Sequence, residues 1–141
     1  MEPMNAVPTV EHDIHMQVVI ADGNRVALPA TLTYRAEDPF AVTATFRTAD
    51  NEISWVFARE LLRDGLRDIA GHGDIVVRPG HPSRGARVSL TLNSPSGSAV
   101  IEGSREQIGD FVAEMYRAVP EDAEWMYLDL DRTIEDLLEA S

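Results

Sequence analysis

Neither cysteine nor lysine occurs anywhere in this chain of 141 residues. The missing cysteine removes disulfides, thiolate catalysis and Cys-ligated zinc or iron–sulfur centres from consideration. The missing lysine leaves arginine as the source of all 12 basic residues, against 24 acidic ones, for a formal charge of −12. A surplus of that size opposes general affinity for nucleic acid or anionic lipid, whose phosphates require cationic surface. Aromatic residues are few, at 6% of the chain, and no apolar run approaches the roughly 18 residues of a membrane span. The first residues, MEPMNAVPTVEHD, have neither the basic start nor the apolar stretch of a signal peptide. We therefore expect a cytoplasmic protein that does not insert into a membrane.

Motifs of catalysis are missing as well. The sequence has no GxSxG nucleophile turn, no GxxxxGK[ST] phosphate loop, no GxGxxG and no HExxH, which are the local patterns that position a nucleophile, a phosphate or a catalytic zinc. His12 and His15 are three apart on an expected strand and so face opposite ways. His72 and His81 fall in glycine- and proline-rich loops. The run Asp129, Asp131, Glu135 lacks the glycine of a calcium loop, with Ile134 in its place; helix capping accounts for those acids. The expectation is a protein that is not an enzyme, with no catalytic residue, cofactor or metal.

What the chain does have is the composition of a folded domain. With 44% hydrophobic residues and this length, it can bury about two thirds of its unfolded surface in a single domain spanning 1–141. Alternation marks the strands: Val10, His12, Ile14, Met16, Val18 and Ile20, then, after a turn at Asp22-Gly23-Asn24, Val26, Leu28, Ala30, Leu32 and Tyr34. Residues 10–35 thus read as a hairpin of two long strands, with Pro29 marking an edge or a bulge. Val42, Ala44 and Phe46 begin a third strand and Ile53, Trp55 and Phe57 a fourth. Further strands are expected at 74–78 and 86–93, with a short one through Val100.

The period changes to 3.6 over residues 58–69, where Leu61, Leu62, Leu66 and Ile69 share one side of a helix. A second helix, 104–119, starts with Ser104 and Gln107 at capping-box spacing and stops at Pro120. A third is expected at 131–140. The fold class is α+β: antiparallel β-sheet with about three helices, and a core that includes Leu32, Phe46, Trp55, Leu61, Phe111 and Met115. Charge is uneven, since eight acids and one arginine from Glu121 onward supply −7 of the total −12.

Arg59, Arg63 and Arg67 recur every four residues, the spacing of one helix face. They form the candidate partner-binding stripe. Glu60 and Asp64 run beside it, so the plainer alternative is a solvated face that neutralises itself through pairs worth a few tenths of a kcal/mol each.

Residues 28–66, LPATLTYRAEDPFAVTATFRTADNEISWVFARELLRDGL, carry a further signal. The elements Asp38-Pro39-Phe40-Ala41-Val42 and Trp55-Val56-Phe57-Ala58-Arg59-Glu60-Leu61-Leu62, at this separation, resemble the SsgA-like protein family of sporulating actinobacteria. The likeness continues through Gly73-Asp74, Ser94-Pro95-Ser96-Gly97, Val119-Pro120 and Asp129-Leu130-Asp131. Phe40 stands where the family usually has tyrosine. The resemblance implies a twisted β-barrel similar to the Whirly proteins, assembled as a homotrimer. It also implies a non-enzymatic adaptor that helps localise or organise the tubulin-like protein FtsZ, with other division proteins, at the cytoplasmic face of the sporulation septum. The alternative, single-stranded nucleic-acid binding, rests on the fold analogy alone, a weak warrant. It conflicts with the charge and with the shortage of aromatics on which bases could stack.

Overall fold

A computed structural model of the chain describes residues 8–80, 86–127 and 138. The expected helix at 131–140, the acids of the Asp129–Glu135 run and His81 lie outside the described residues, apart from Leu138.

Nine strands and two α-helices make up the described fold: β1 Thr9–Ile14, β2 Met16–Val19, β3 Arg25–Ala27, β4 Ala30–Arg35, β5 Ala41–Arg47, β6 Glu52–Ala58, α1 Arg59–Asp64, β7 Ile75–Pro79, β8 Arg87–Ser94, β9 Gly97–Ser104 and α2 Arg105–Ala118. A 3-10 turn, Glu124–Tyr127, follows. The strands form two antiparallel sheets, one in the order β1-β4-β5-β6 and the other β3-β2-β9-β8-β7. The architecture is α+β, as expected.

The hairpin expected over 10–35 is present, but its two strands are four. Each arm bends, at His15 in one and at Leu28-Pro29 in the other, so β1 with β4 joins the first sheet and β2 with β3 the second. Strands that pass from one sheet to another turn such corners. Alternation reports faces and is blind to a corner that preserves it. Leu28 N still donates to Met16 O at 2.8 Å across the bend. Pro29 lends only its carbonyl, which accepts from Arg47 N. The final strand, β9, is longer than expected and pairs with β8 through eight residues, because Gly97 at φ 140° makes the Ser94–Gly97 connection tight.

The core lies between the sheets and under α2. Leu32, Phe46, Phe111 and Met115 are buried as expected, but Trp55 and Leu61 are only half-buried at its margin. Trp55 falls short because β6 is the last strand of its sheet, with no further strand among the described residues to cover the ring. Helix α2 places Ile108, Phe111, Val112 and Met115 inward, each worth roughly 1.5–3 kcal/mol on burial. The Ser104 hydroxyl caps it by accepting from Gln107 N at 3.1 Å. The Gln107 side chain does not complete a capping box; its Oε1 accepts instead from the backbone N–H of His15 at 2.9 Å, tying the helix to the corner between β1 and β2.

Helix α1 ends at Asp64 and does not continue to residue 69. Gly65 stands at its end, still right-handed at φ −66°. A Cβ there would lie 2.6 Å from the Cβ of buried Val77, so the chain at the end of α1 sits directly on β7. Turns carry it through Asp68, and Ala70 then pairs with Val77. Ile69, assigned to the apolar side of a longer helix, is exposed in consequence.

Candidate functional site

The arginine stripe does not exist as a continuous exposed face. Helix α1 buries Arg59 together with Leu62, and Arg59 is 0% exposed. The side chain runs between α1, β4 and the end of α2. Its guanidinium stacks 4.0 Å from the ring centroid of Tyr116 and lies 5.3 Å from that of Tyr34. One terminal nitrogen donates to Val119 O at 2.9 Å and to the Tyr34 hydroxyl at 3.4 Å; the other donates to Glu124 Oε2 at 2.8 Å. Val119 O is an end-of-helix carbonyl of α2, where a cation is favoured.

Each partner is set by its own element. Tyr34, on β4, donates its hydroxyl to Pro39 O at 3.0 Å. Burial pushes that hydroxyl up to about 12, with the Arg59 charge working the other way. Tyr116, on α2, is raised for the same reason. Both stay neutral, and both rings face the guanidinium. Glu124 arrives from a turn that begins at Pro120, in which Ala123 N donates to Pro120 O and Asp122 takes a positive φ of 70°. The hydrogen bond from Arg59 holds the Glu124 carboxyl below the usual carboxylate range, against the opposing effect of its burial. Among the described residues Arg59 Nε and the Tyr116 hydroxyl find no hydrogen-bond partner. The cluster joins four segments of the chain around one buried cation. It clamps the segment after α2 onto the body of the fold.

Arg63 and Arg67 part company with Arg59. Arg63 is half-exposed and engaged on three sides, by Asp64 at 3.0 Å, Glu121 at 3.3 Å and Glu60 at 3.9 Å. The bond to Asp64 raises its pKa further, so it stays charged. Arg67 lies beyond the helix in the following turn, exposed, and makes no ion pair with the described residues. Arg63, Asp64, Arg67 and Glu121 line a recess of about 380 Å³. Of the three candidate partner-binding residues, then, Arg59 is a structural group inaccessible to a partner, and Arg63 and Arg67 remain on the surface.

Four-residue spacing could not separate these cases, because Arg59 is also three residues from Leu62 and shares its buried side. The sequence places Tyr34 on a strand and Tyr116 on the second helix, but no local pattern ties them or Glu124 to Arg59: they lie 25, 57 and 65 positions away. His12 and His15 both meet α2, because the chain turns at His15 beside the first turn of that helix: His12 Nε2 pairs with Glu114 Oε2 at 2.7 Å, with its ring edge-on to Phe111, and His15 Nδ1 lies 3.3 Å from Gln107 Nε2. Among the described residues no three His, Asp or Glu side chains are placed to hold a metal ion, and no helix is long and apolar enough to cross a membrane.

Several large apolar side chains are exposed beside these polar groups. Trp125 and Met126, at 64% and 62%, stand out from the turn that Glu124 anchors; Val56, Ile53 and Phe40 are exposed on or next to β6. Trp and Met are over-represented at protein interfaces. Among the described residues, then, the buried charge holds the fold together, and several large apolar groups face outward.

Comparison with known proteins gives the class. Residues 28–124 match the family described as Streptomyces sporulation and cell division protein, SsgA, and the chain belongs to that family. Within it, the chain is most like SsgB proteins. The chain is 40% identical over 136 residues to the sporulation-specific cell division protein SsgB of Frankia casuarinae, covering 92% of this chain and 95% of that one. It is 36% identical over 134 residues to SsgB of Streptomyces coelicolor, covering 94% and 98%. The crystal structure of an SsgA-like sporulation-specific cell division protein from Thermobifida fusca superposes with a TM-score of 0.84 at 30% identity, over 95% of this chain and 98% of that chain.

Proposed function

We propose that this protein is a non-enzymatic adaptor that helps localise or organise FtsZ at the cytoplasmic face of the sporulation septum. The observation that carries the reading is family membership over nearly the whole chain, with relatives named as sporulation-specific cell division proteins. The surface supports it: exposed Trp125, Met126 and Val56 suit protein contacts. Arg63 and Arg67, at the mouth of an open recess, are the candidate contacts for an acidic patch on a partner. A homotrimer, FtsZ and other division proteins complete the proposed assembly.

Single-stranded nucleic-acid binding gains nothing from the same surface. Arg25, Arg35, Arg47 and Arg63 are each paired with a carboxylate and Arg59 is buried, whereas such binders need a continuous cationic groove. The test is depletion in a sporulating host carrying fluorescent FtsZ. The expected result is loss of regularly spaced FtsZ rings, restored by the wild-type gene. Normal ring placement after depletion would overturn the reading.

A further inference from the structure

The two sheets have four outer edges, and three of them are guarded. Strand β1 is flanked by α2 through the His12–Glu114 pair and the His15–Gln107 bond. Strand β3 is three residues long. Strand β7 is met by Ala70, which exchanges backbone hydrogen bonds of 2.8 and 2.9 Å with Val77, and it stops at Pro79. Covering, shortness and proline are the usual means of blunting an edge. Among the described residues strand β6 has none of them. It is seven residues long, runs in unbroken register with β5, and pairs with no other strand among the described residues.

The direction of its free groups follows from its two ends. Arg59 N donates to Phe40 O and Thr48 N to Asn51 O, each at 2.8 Å. Counting by two between them, Ile53, Trp55 and Phe57 turn their backbone N–H and C=O toward β5, while Ser54, Val56 and Ala58 turn theirs outward. All three of these residues are exposed, Val56 at 64%. No charged residue or proline interrupts Ile53 to Ala58. On the inner side of the strand, Ile53 and Trp55 line an open cleft of about 450 Å³ between the sheets, walled by Val18, Leu28, Phe46 and Ile101. None of the residues lining it is charged.

We propose that β6 is the docking edge for an extended segment of a partner protein, which adds to the first sheet as a further strand and sets alternate apolar side chains beside Ile53 and Trp55, over the cleft. The unpaired backbone specifies a strand; the uncharged cleft specifies apolar residues at every second position. Charge selects the flanks. Asp50 and Glu52 precede the open groups and Glu60 follows them; Glu52 meets Arg47 at 3.4 Å and Glu60 meets Arg63 at 3.9 Å, yet their side chains stay 64% and 66% exposed to a partner. A second copy paired antiparallel about Val56 would set Glu52 of each strand against Glu60 of the other. A segment flanked by basic residues meets no such repulsion. The proposal rests on the adaptor reading only in taking the occupant to be a protein.

The test uses the full chain and a fluorescent synthetic peptide with valine at alternate positions and lysines at both ends, compared with a peptide of the same composition in helical spacing. Polarisation is expected to give saturable binding of the alternating peptide alone. Val56→Pro removes an outward N–H without touching the ladder to β5, and should weaken binding at least about tenfold; Val56→Lys, which keeps the backbone, should do the same by charge. Amide exchange at Ser54, Val56 and Ala58 should slow on binding. No saturable binding, equal affinity in both variants, or protection confined to other strands would overturn the proposal. So would a wild-type dimer that Val56→Pro dissociates, which would give the edge to a second copy. FtsZ co-sedimentation in parallel separates the two readings: FtsZ binding without peptide protection refutes the edge alone, and peptide protection without FtsZ binding refutes only FtsZ as the partner.

Discussion

Replacing Arg59 by methionine removes the cation on which four segments converge while nearly keeping the length of the side chain. The structure sets the size of the effect. The side chain of Arg59 is 1% exposed and that of Glu124 12%, so the substitution leaves a carboxylate without its counter-ion, takes the donor from Val119 O, and takes the stacking cation from Tyr116. Breaking a buried pair from one side costs about 3–5 kcal/mol. Glu124, at the outer end of the cluster, can recover some water, which places the loss near 3 kcal/mol. At about 3 °C per kcal/mol for a domain of this size, the melting midpoint should fall by roughly 9 °C. Adding Glu124→Leu removes the stranded charge. The double variant should therefore be more stable than Arg59→Met alone, the sign expected of a buried pair replaced by packed apolar groups. Urea melts of wild type, both single variants and the double variant give the coupling directly. A midpoint for Arg59→Met within about 2 °C of wild type, or losses that simply add, would refute the reasoning.

Gly65→Ala should destabilise by about 1–3 kcal/mol, because its Cβ would collide with Val77. That is the reverse of the usual gain from alanine at a helix end, and a raised melting midpoint would show that the approach to β7 is looser. The depressed Glu124 carboxyl contributes stability fully present above its ordinary value of 4.5 and lost as pH falls through its lower folded value. The stability gap between wild type and Glu124→Gln should accordingly close below about pH 4; a constant gap from pH 6 to 3 would contradict the assignment. Arg63→Glu combined with Arg67→Glu should leave circular dichroism unchanged and the midpoint within about 1 °C per pair lost, while weakening FtsZ binding. Loss of folding would make Arg63 structural as well.

Much of the fold was legible because its signals are local. Alternation located the segments that became β1 to β6, though as four strands rather than six, and the change of period after Phe57 located the start of α1. Ser104 and Pro120 bounded α2. What escaped depends on contacts distant in sequence. The corners at His15 and Pro29 leave the alternation intact while splitting each strand between sheets. The close seating of the end of α1 on β7 depends on Val77, twelve residues beyond Gly65, and no helical wheel contains it. Trp55 looks like core from its face, yet its exposure follows from β6 being last in the sheet. The same limit applies to the site. Spacing identified three arginines, but only Tyr34, Tyr116 and Glu124, brought in from other elements, decide that Arg59 belongs to the interior.

Binding to FtsZ tests the central claim most directly. Purified protein, treated with nuclease, is sedimented with GTP-assembled FtsZ filaments over a range of concentrations. The account expects saturable co-sedimentation that nuclease leaves unchanged and that Arg63→Glu with Arg67→Glu weakens. A protein that stays in the supernatant at every concentration, or that pellets only when nucleic acid is present, would contradict it.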